Sequence, residues 1–386
     1  MSTLMEKDKK FVANTYNRFP LEIVKGQGCF CYDKDGKEYI DLGSGIGVTA
    51  FGYCDKEWKE AVENQLNLVQ HTSNLYYTEP GAELAKLLCE KTGMKKVFFG
   101  NSGAEANECA IKVARKYGAE KKGEEYSVIV TLNNSFHGRT LSTLSATGQD
   151  SFHKLFNPLT PNFVHTPAND INAFKKVIEE NKVCGVLIEC VQGEGGVNCL
   201  DKDFVEEMFT LCREKDILFM VDEVQTGNGR TGKLYSYMNY EVCPDVVTTA
   251  KGLGGGHPIG AVLIGEKAEF VLGYGDHGST FGANPVCCAG AISVINRLTD
   301  EFLLEVTKKS EYIFSELSGY ENVESVSGMG LMIGIKPKKE ARAVVLECME
   351  KGVICLTAKD KIRLLPPLNI DFETLKKAIS IIKECL

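Results

Sequence analysis

Apolar and polar positions change texture three times along the chain. In the first stretch, Gly28 to Leu42 holds short apolar runs on either side of Lys34-Asp35-Gly36. Two short strands around a turn are expected there. Helical spacing covers 56–70 and 79–92. The second helix opens at Glu79-Pro80-Gly81, where a proline in the first turn gives up an N–H that would have no partner anyway. From about residue 95, continuous apolar runs alternate with helical segments. The runs are Val97-Phe98-Phe99, Ser127 to Leu132, Gly185 to Val191, Ile217 to Val221, Asp245 to Thr249 and Ala261 to Ile264. The helices between them include Ala104 to Lys116, Ala173 to Glu180 and Asp203 to Lys215. Continuous β-branched strands separated by helices predict a parallel sheet covered on both faces, the doubly wound α/β arrangement. Beyond about residue 275, helices near 284–298 and 299–318 precede strand-like Val323 to Ser327 and Leu331 to Ile335. A helix near 338–351, strands near 353 and 362 and a terminal helix follow, so this part reads as α+β.

Composition narrows the class. A chain of 386 residues fits two modest domains. A hydrophobic fraction of 44% and a charged fraction of 25% argue against disorder, collagen and coiled coil. No apolar run reaches the roughly 18 to 20 residues of a membrane span. The opening MSTLMEKDKK has no apolar core, so a secretory signal is not expected and a cytoplasmic location is. The net charge of -8 argues against general nucleic-acid binding, which wants a basic face. Among 15 cysteines there is no CxxC pair, only Cys29-Phe30-Cys31 and adjacent Cys287-Cys288. They read as small buried hydrophobes in a reducing compartment. The six histidines form neither HExxH nor HxH, so no metal site is expected.

Four short segments carry candidate chemistry. Asn101-Ser102-Gly103-Ala104-Glu105 follows a strand and opens a helix, leaving backbone N–H groups free where the helix dipole favours a phosphate. An ordinary serine cap with a glutamate three residues on would look the same. Asp222 ends an apolar strand, where open α/β sheets place ligands, and could hold the proton of a buried heterocyclic nitrogen. It could equally cap the next turn. Lys251 follows a strand and is surrounded by small residues, as an amine nucleophile would need. A surface lysine before a flexible turn fits as well. Phe136-His137-Gly138-Arg139-Thr140 offers an aromatic face and a guanidinium, or simply a solvated loop. Together the four segments supply the parts of a pyridoxal phosphate site: a helix start for the phosphate, a carboxylate for the pyridine nitrogen, a stacking face and a lysine for the aldehyde.

The motifs NSGAEANE, FHGRT, QGEGG, DEVQTGNGRTG, AKGLGGG, HGSTFGANP and RLLPPL follow one another in this order. So do the earlier stretches Asn14 to Leu21 and Asp41 to Val48. On these residues the chain resembles the class III pyridoxal-phosphate aminotransferases over nearly its whole length. The resemblance implies the type I fold of such enzymes: a large domain, 51–275, with a mostly parallel seven-stranded sheet, a smaller α+β domain, 276–386, and an N-terminal segment, 1–50, packing with the small domain. It implies a homodimer with shared active sites. Lys251 is then the Schiff-base lysine and proton carrier, Asp222 the partner of the pyridinium nitrogen and Gln225 that of the phenolic oxygen. Phe136 and Val224 enclose the ring. Ser102, Gly103 and Ala104 bind the phosphate, and Thr280 with Ser279 completes the site from the partner subunit.

The substrates implied are N2-acetylornithine as amino donor and 2-oxoglutarate as acceptor. They give N-acetylglutamate 5-semialdehyde and glutamate in a ping-pong reaction of arginine biosynthesis. Arg363 would take the α-carboxylate of 2-oxoglutarate, Arg139 a carboxylate of acetylornithine, and Glu194 would neutralise Arg363 while the donor is bound. Two departures stand out. Many relatives have threonine where Ala104 stands, which removes a side-chain phosphate contact. Ornithine δ-aminotransferases carry a tyrosine near Ile46, so Ile46 argues for the acylated donor. Ornithine, succinylornithine, 4-aminobutyrate or another ω-amino acid would use the same chemistry. A non-catalytic protein retaining the fold is the rival of another class, and nucleotide binding by the Gly-rich segments is a third.

Overall fold

The structure is a computed structural model. It describes residues 3–386, so Met1 and Ser2 of the expected 1–50 segment lie outside the described residues. The central sheet has seven strands in the order Lys96–Gly100, Gly260–Ile264, Val246–Thr249, Leu218–Asp222, Val183–Ile188, Val128–Leu132, Phe163–Thr166. Gly260–Ile264 runs antiparallel to both its neighbours. The remaining pairs are parallel.

The central strands are continuously apolar because both faces are covered. Leu218 and Met220 share a buried cluster with Ala106, Ala110 and Val113 of the helix Gly103–Lys122. Phe219 and Val221 point the other way, into a cluster with Phe204, Val205 and Met208 of Lys202–Glu214. The strand period of two thus divides one apolar run between two cores. Six of the seven strands lie on the expected runs. The seventh, Phe163–Thr166, is four residues between Pro161-Asn162 and Pro167, too short to stand out as an apolar run.

The C-terminal part is an antiparallel sheet in the order Val323–Met329, Met332–Pro337, Lys361–Leu364, Leu356–Ala358. Helices Asp300–Leu317, Ala341–Glu350 and Phe372–Cys385 accompany it. The N-terminal strands Ile23–Gln27, Phe30–Asp33 and Glu38–Asp41 form their own sheet, completed by Val353–Ile354 in parallel with Glu38–Asp41. We propose that the division between large and small domains falls in the exposed loop at 275/276. The helix beyond it, Pro285–Arg297, packs on Lys56–Leu66 and Glu79–Thr92.

One local structure has no signature in the hydrophobic pattern. Ser44, Gly45, Ile46 and Gly47 have φ of 47°, 61°, 65° and 73°, a single left-handed turn. Each non-glycine residue in that region costs about 1–2 kcal/mol. Asp41 holds the turn: its Oδ1 accepts from the N–H groups of Gly43 at 2.7 Å and Ser44 at 3.0 Å. Tyr53 donates its hydroxyl to Oδ2 at 2.8 Å. The turn delivers Val48 to the main cavity.

Eleven of the fifteen cysteines are buried and all are free. Among the described residues there is no group of three His, Cys, Asp or Glu placed to hold a metal, and no helix is long and apolar enough to cross a membrane.

Candidate active site

The parallel strands end along one edge of the sheet, and the reversed strand begins there. Ser102, Gly103 and Ala104 follow Lys96–Gly100. Phe136 and Arg139 follow Val128–Leu132, Asp222 closes Leu218–Asp222, and Lys251 follows Val246–Thr249. All of these, with Val224 and Gln225, line one cavity of about 510 Å³. Glu194 and Arg363 join it through Gln225. Ser279 and Thr280 do not reach it within this chain; they line a second cavity that shares Asn101 with the first.

Asp222 is 3% exposed and fully engaged. Its Oδ2 accepts from Asn107 Nδ2 at 2.7 Å and meets His137 Nδ1 at 2.8 Å. Its Oδ1 accepts from the Val224 N–H at 2.9 Å. Asn107 is fixed in turn, donating to the His137 carbonyl at 2.8 Å and accepting from Thr248 Oγ1 at 2.7 Å. These contacts fix the carboxyl group at the strand end, on the cavity wall. It is a ready partner for a protonated ring nitrogen.

Lys251 has φ +43°, a conformation lysine adopts at a cost. Asn228 pins the preceding residues, donating to Thr249 Oγ1 at 2.9 Å and to the Ala250 carbonyl at 3.1 Å. Burial pushes the Lys251 amine below its ordinary range. Asp222 and Glu194 oppose that shift, and Arg363 adds to it. The net shift is downward, toward the neutral form that can attack a carbonyl or take a proton.

At the helix start, Ser102 Oγ accepts from the Glu105 N–H at 3.1 Å. The Glu105 carboxylate turns back to Asn101, taking its backbone N–H and its side-chain amide. The capping arrangement expected from the sequence is therefore present but shifted by one residue. Gly103 and Ala104, whose N–H groups belong to the first turn and have no intrahelical partner, line the cavity. A Cβ on Gly103 would lie 2.6 Å from Val224 Cγ1, so only glycine lets the helix start approach that wall. An anion cradle, a carboxyl group fixed by its neighbours, an amine without a partner among the described residues and two walls, Phe136 and Val224, fit pyridoxal phosphate.

Beside Gln225 the arrangement is electrostatic. Arg363 is 3% exposed. Its Nη1 donates to Glu194 Oε1 and, at 3.1 Å, to Gln225 Oε1. Gln225 Nε2 donates to Glu194 Oε1 at 3.4 Å. Burial raises the Glu194 carboxyl, but Arg363 outweighs it and holds the group below its ordinary range. Arg139 is exposed at the cavity mouth. It stacks over Phe152 at 4.8 Å and Phe136 at 5.9 Å and is not paired with a carboxylate among the described residues. The site therefore has one masked arginine and one open one.

Sequence reasoning passed over three residues here. His137 and Asn107 lie inside quoted motifs, and what they do depends on Asp222, far along the chain. Glu189 lies inside the apolar run Gly185 to Val191 and is not singled out by it. An acid between Ile188 and Cys190 was the available signal, of the same kind as Asp222. Glu189 is buried and accepts from the Phe136 N–H at 2.9 Å and the Gly193 N–H at 3.4 Å. Burial pushes its carboxyl up from 4.5 to about 7; His137 lowers it and Asp222 raises it. Between those values the folded protein keeps a proton that the unfolded chain has released. This group's contribution to stability therefore falls as pH rises through that window. In apo-protein the melting temperature of E189Q, minus that of the parent, should grow in the variant's favour from pH 5 to pH 8. A difference that does not vary with pH would refute the shift.

The class III aminotransferase family model matches residues 11–386. The acetylornithine aminotransferase of Haemophilus ducreyi is 50% identical over 99% of this chain and 98% of its own length. That of Caldanaerobacter subterraneus subsp. tengcongensis is 44% identical over 98% of each. An ornithine aminotransferase structure from Toxoplasma gondii, with pyridoxal phosphate at partial occupancy, is similar at a TM-score of 0.94. It is 29% identical and covers 99% of this chain and 93% of its own.

Proposed function

The chain belongs to the class III aminotransferases, and from that premise we propose that it moves the terminal amino group of N2-acetyl-L-ornithine to 2-oxoglutarate, using pyridoxal phosphate. The observation that carries the two-substrate reading is the pair of arginines: Arg363 closed by Glu194, Arg139 open. A donor with one free carboxylate needs one guanidinium, and an unmatched second would be costly beside it. A dicarboxylate acceptor needs both. Glu194 supplies the internal substitute and leaves when the acceptor arrives.

Pyridoxal phosphate, when bound, supplies an aldehyde that takes up the amino group and a ring that draws electrons from the adjoining carbon. Ser102, Gly103 and Ala104 would hold its phosphate, Asp222 its ring nitrogen, Gln225 its phenolic oxygen, and Phe136 and Val224 its faces. Lys251 Nζ carries the proton in both half-reactions.

We place the protein in the cytoplasm, with small-molecule substrates. We propose a homodimer in which Thr280, with Ser279, serves the neighbouring site. The exposed side chains of Leu75, Tyr76, Tyr77, Phe270, Tyr274 and Phe281 supply an apolar surface for it. Asn74 ties the two loops together by donating to the Ser279 and Gly282 carbonyls, both at 3.0 Å.

The likeness to an ornithine aminotransferase structure favours a second reading, free ornithine as donor. Ile46, 41% exposed on the left-handed turn, offers no hydroxyl to a second charged amine. Side-by-side kcat/KM values for N-acetylornithine, ornithine and 4-aminobutyrate decide. Acetylornithine should lead by at least about tenfold. A clear lead for ornithine overturns the assignment.

A further inference from the structure

Lys361 lies two residues before Arg363 on the strand Lys361–Leu364, so both side chains leave the same face. Arg363 holds the Glu194 carboxylate. Lys361, 9% exposed, takes hold of the turn that carries Glu194. Its Nζ donates to Asn198 Oδ1 at 2.9 Å and to Ser327 Oγ at 2.7 Å. Asn198 Nδ2 donates onward to the Gly195 carbonyl at 2.9 Å, and Ser327 Oγ to the Val197 carbonyl at 2.7 Å. Two relays from one ammonium therefore end on backbone carbonyls one and three residues beyond Glu194.

The turn depends on such support. Gly196 and Val197 have φ of 109° and 54°. Val197 packs over Gly334, where a Cβ would come 2.8 Å from Val197 Cβ and 3.1 Å from Lys361 Cδ. On the opposite side a Cβ on Gly195 would lie 2.6 Å from the Asn134 carbonyl oxygen. Burying an ammonium against neutral oxygens is costlier than packing an apolar side chain there. Packing alone does not call for a lysine.

We propose that Lys361 is a positioning residue that keeps the Glu194 turn in register with Arg363, and thereby sets the preference between a one-carboxylate amino donor and a dicarboxylate. This rests on the two-arginine reading above. When the turn is loosened, Glu194 spends less time on Arg363. The one-carboxylate donor then meets a bare guanidinium, while glutamate has less to displace.

The test follows the two half-reactions of the holoenzyme separately by cofactor absorbance. Glutamate is compared with the best one-carboxylate ω-amine of the donor panel, so a wrong acyl group changes the donor used and not the comparison. In K361M the ratio of kcat/KM for that donor over glutamate should fall about tenfold, the size of one lost charge-assisted hydrogen bond. S327A, which cuts one relay, should shift the ratio less and in the same direction. In an E194Q background K361M should leave the ratio within about twofold, because the group it positions is gone. An unchanged ratio, an equal loss in both half-reactions, or the same fall in the E194Q background overturns the proposal. Should K361M fail to fold, the S327A ratio decides by the same criteria.

Discussion

Replacing Lys251 by alanine should lower transamination by about 10⁴-fold or more, at the upper end of what a positioned proton carrier contributes. The effect is expected to be this large because three titratable neighbours of Lys251 are engaged elsewhere. Glu194 is committed to Arg363, and Glu189 is bound to the backbone of Phe136 and Gly193. His137 is held against Asp222. The K251A protein should still take up the cofactor, since the helix start and Asp222 are untouched. Small primary amines added to the buffer should restore part of the rate, a response that a purely structural lysine would not show. Borohydride reduction of the parent holoenzyme, followed by peptide mass spectrometry, should place a pyridoxyl group on Lys251. An unmodified Lys251 in cofactor-loaded protein would rule out the enzyme reading in favour of a binding protein of the same fold.

Asp222 is expected to give the second-largest effect. D222N keeps the shape and removes the charge, and single-turnover rates should fall by about 10³-fold. D222A should add a loss of stability. It strands the Asn107 amide, the His137 ring and the Val224 N–H in a buried setting, at about 1–3 kcal/mol for each unsatisfied group. Thermal melting of the two apo-variants separates the contributions: D222A should melt well below D222N. A D222N rate within tenfold of the parent would remove Asp222 from the chemistry.

The large sheet was legible because burial on both faces writes itself as uninterrupted apolar runs. That signal fails at the edge strand Phe163–Thr166, which is short and bounded by prolines. It fails again at Ser44–Gly47, whose handedness is a property of φ and not of hydropathy. Lys251 and Asp222 could be picked out one at a time, since each is a polar residue closing an apolar strand. Their neighbours could not. The Glu194–Arg363 contact joins positions 169 residues apart, and only the family resemblance suggested it. The Lys361 relays were invisible even so, because they run through backbone carbonyls. Glu189 shows the opposite failure. The residue was in plain view, but as one polar letter inside the run Gly185 to Val191 it was absorbed into the strand.

The reversed strand has a kinetic meaning. A parallel continuation after Thr249 would need a long crossover to the far end of the sheet before the chain could return. Because Gly260–Ile264 runs back alongside Val246–Thr249 instead, the intervening loop is anchored to the sheet at both ends, with Lys251 on it. Translational and rotational freedom of the amine has been given up during folding, before any substrate arrives. Well-oriented intramolecular partners reach effective molarities of about 10⁵–10⁸ M. Part of the rate expected of Lys251 is thus an entropic consequence of strand direction, settled by topology before any substrate binds.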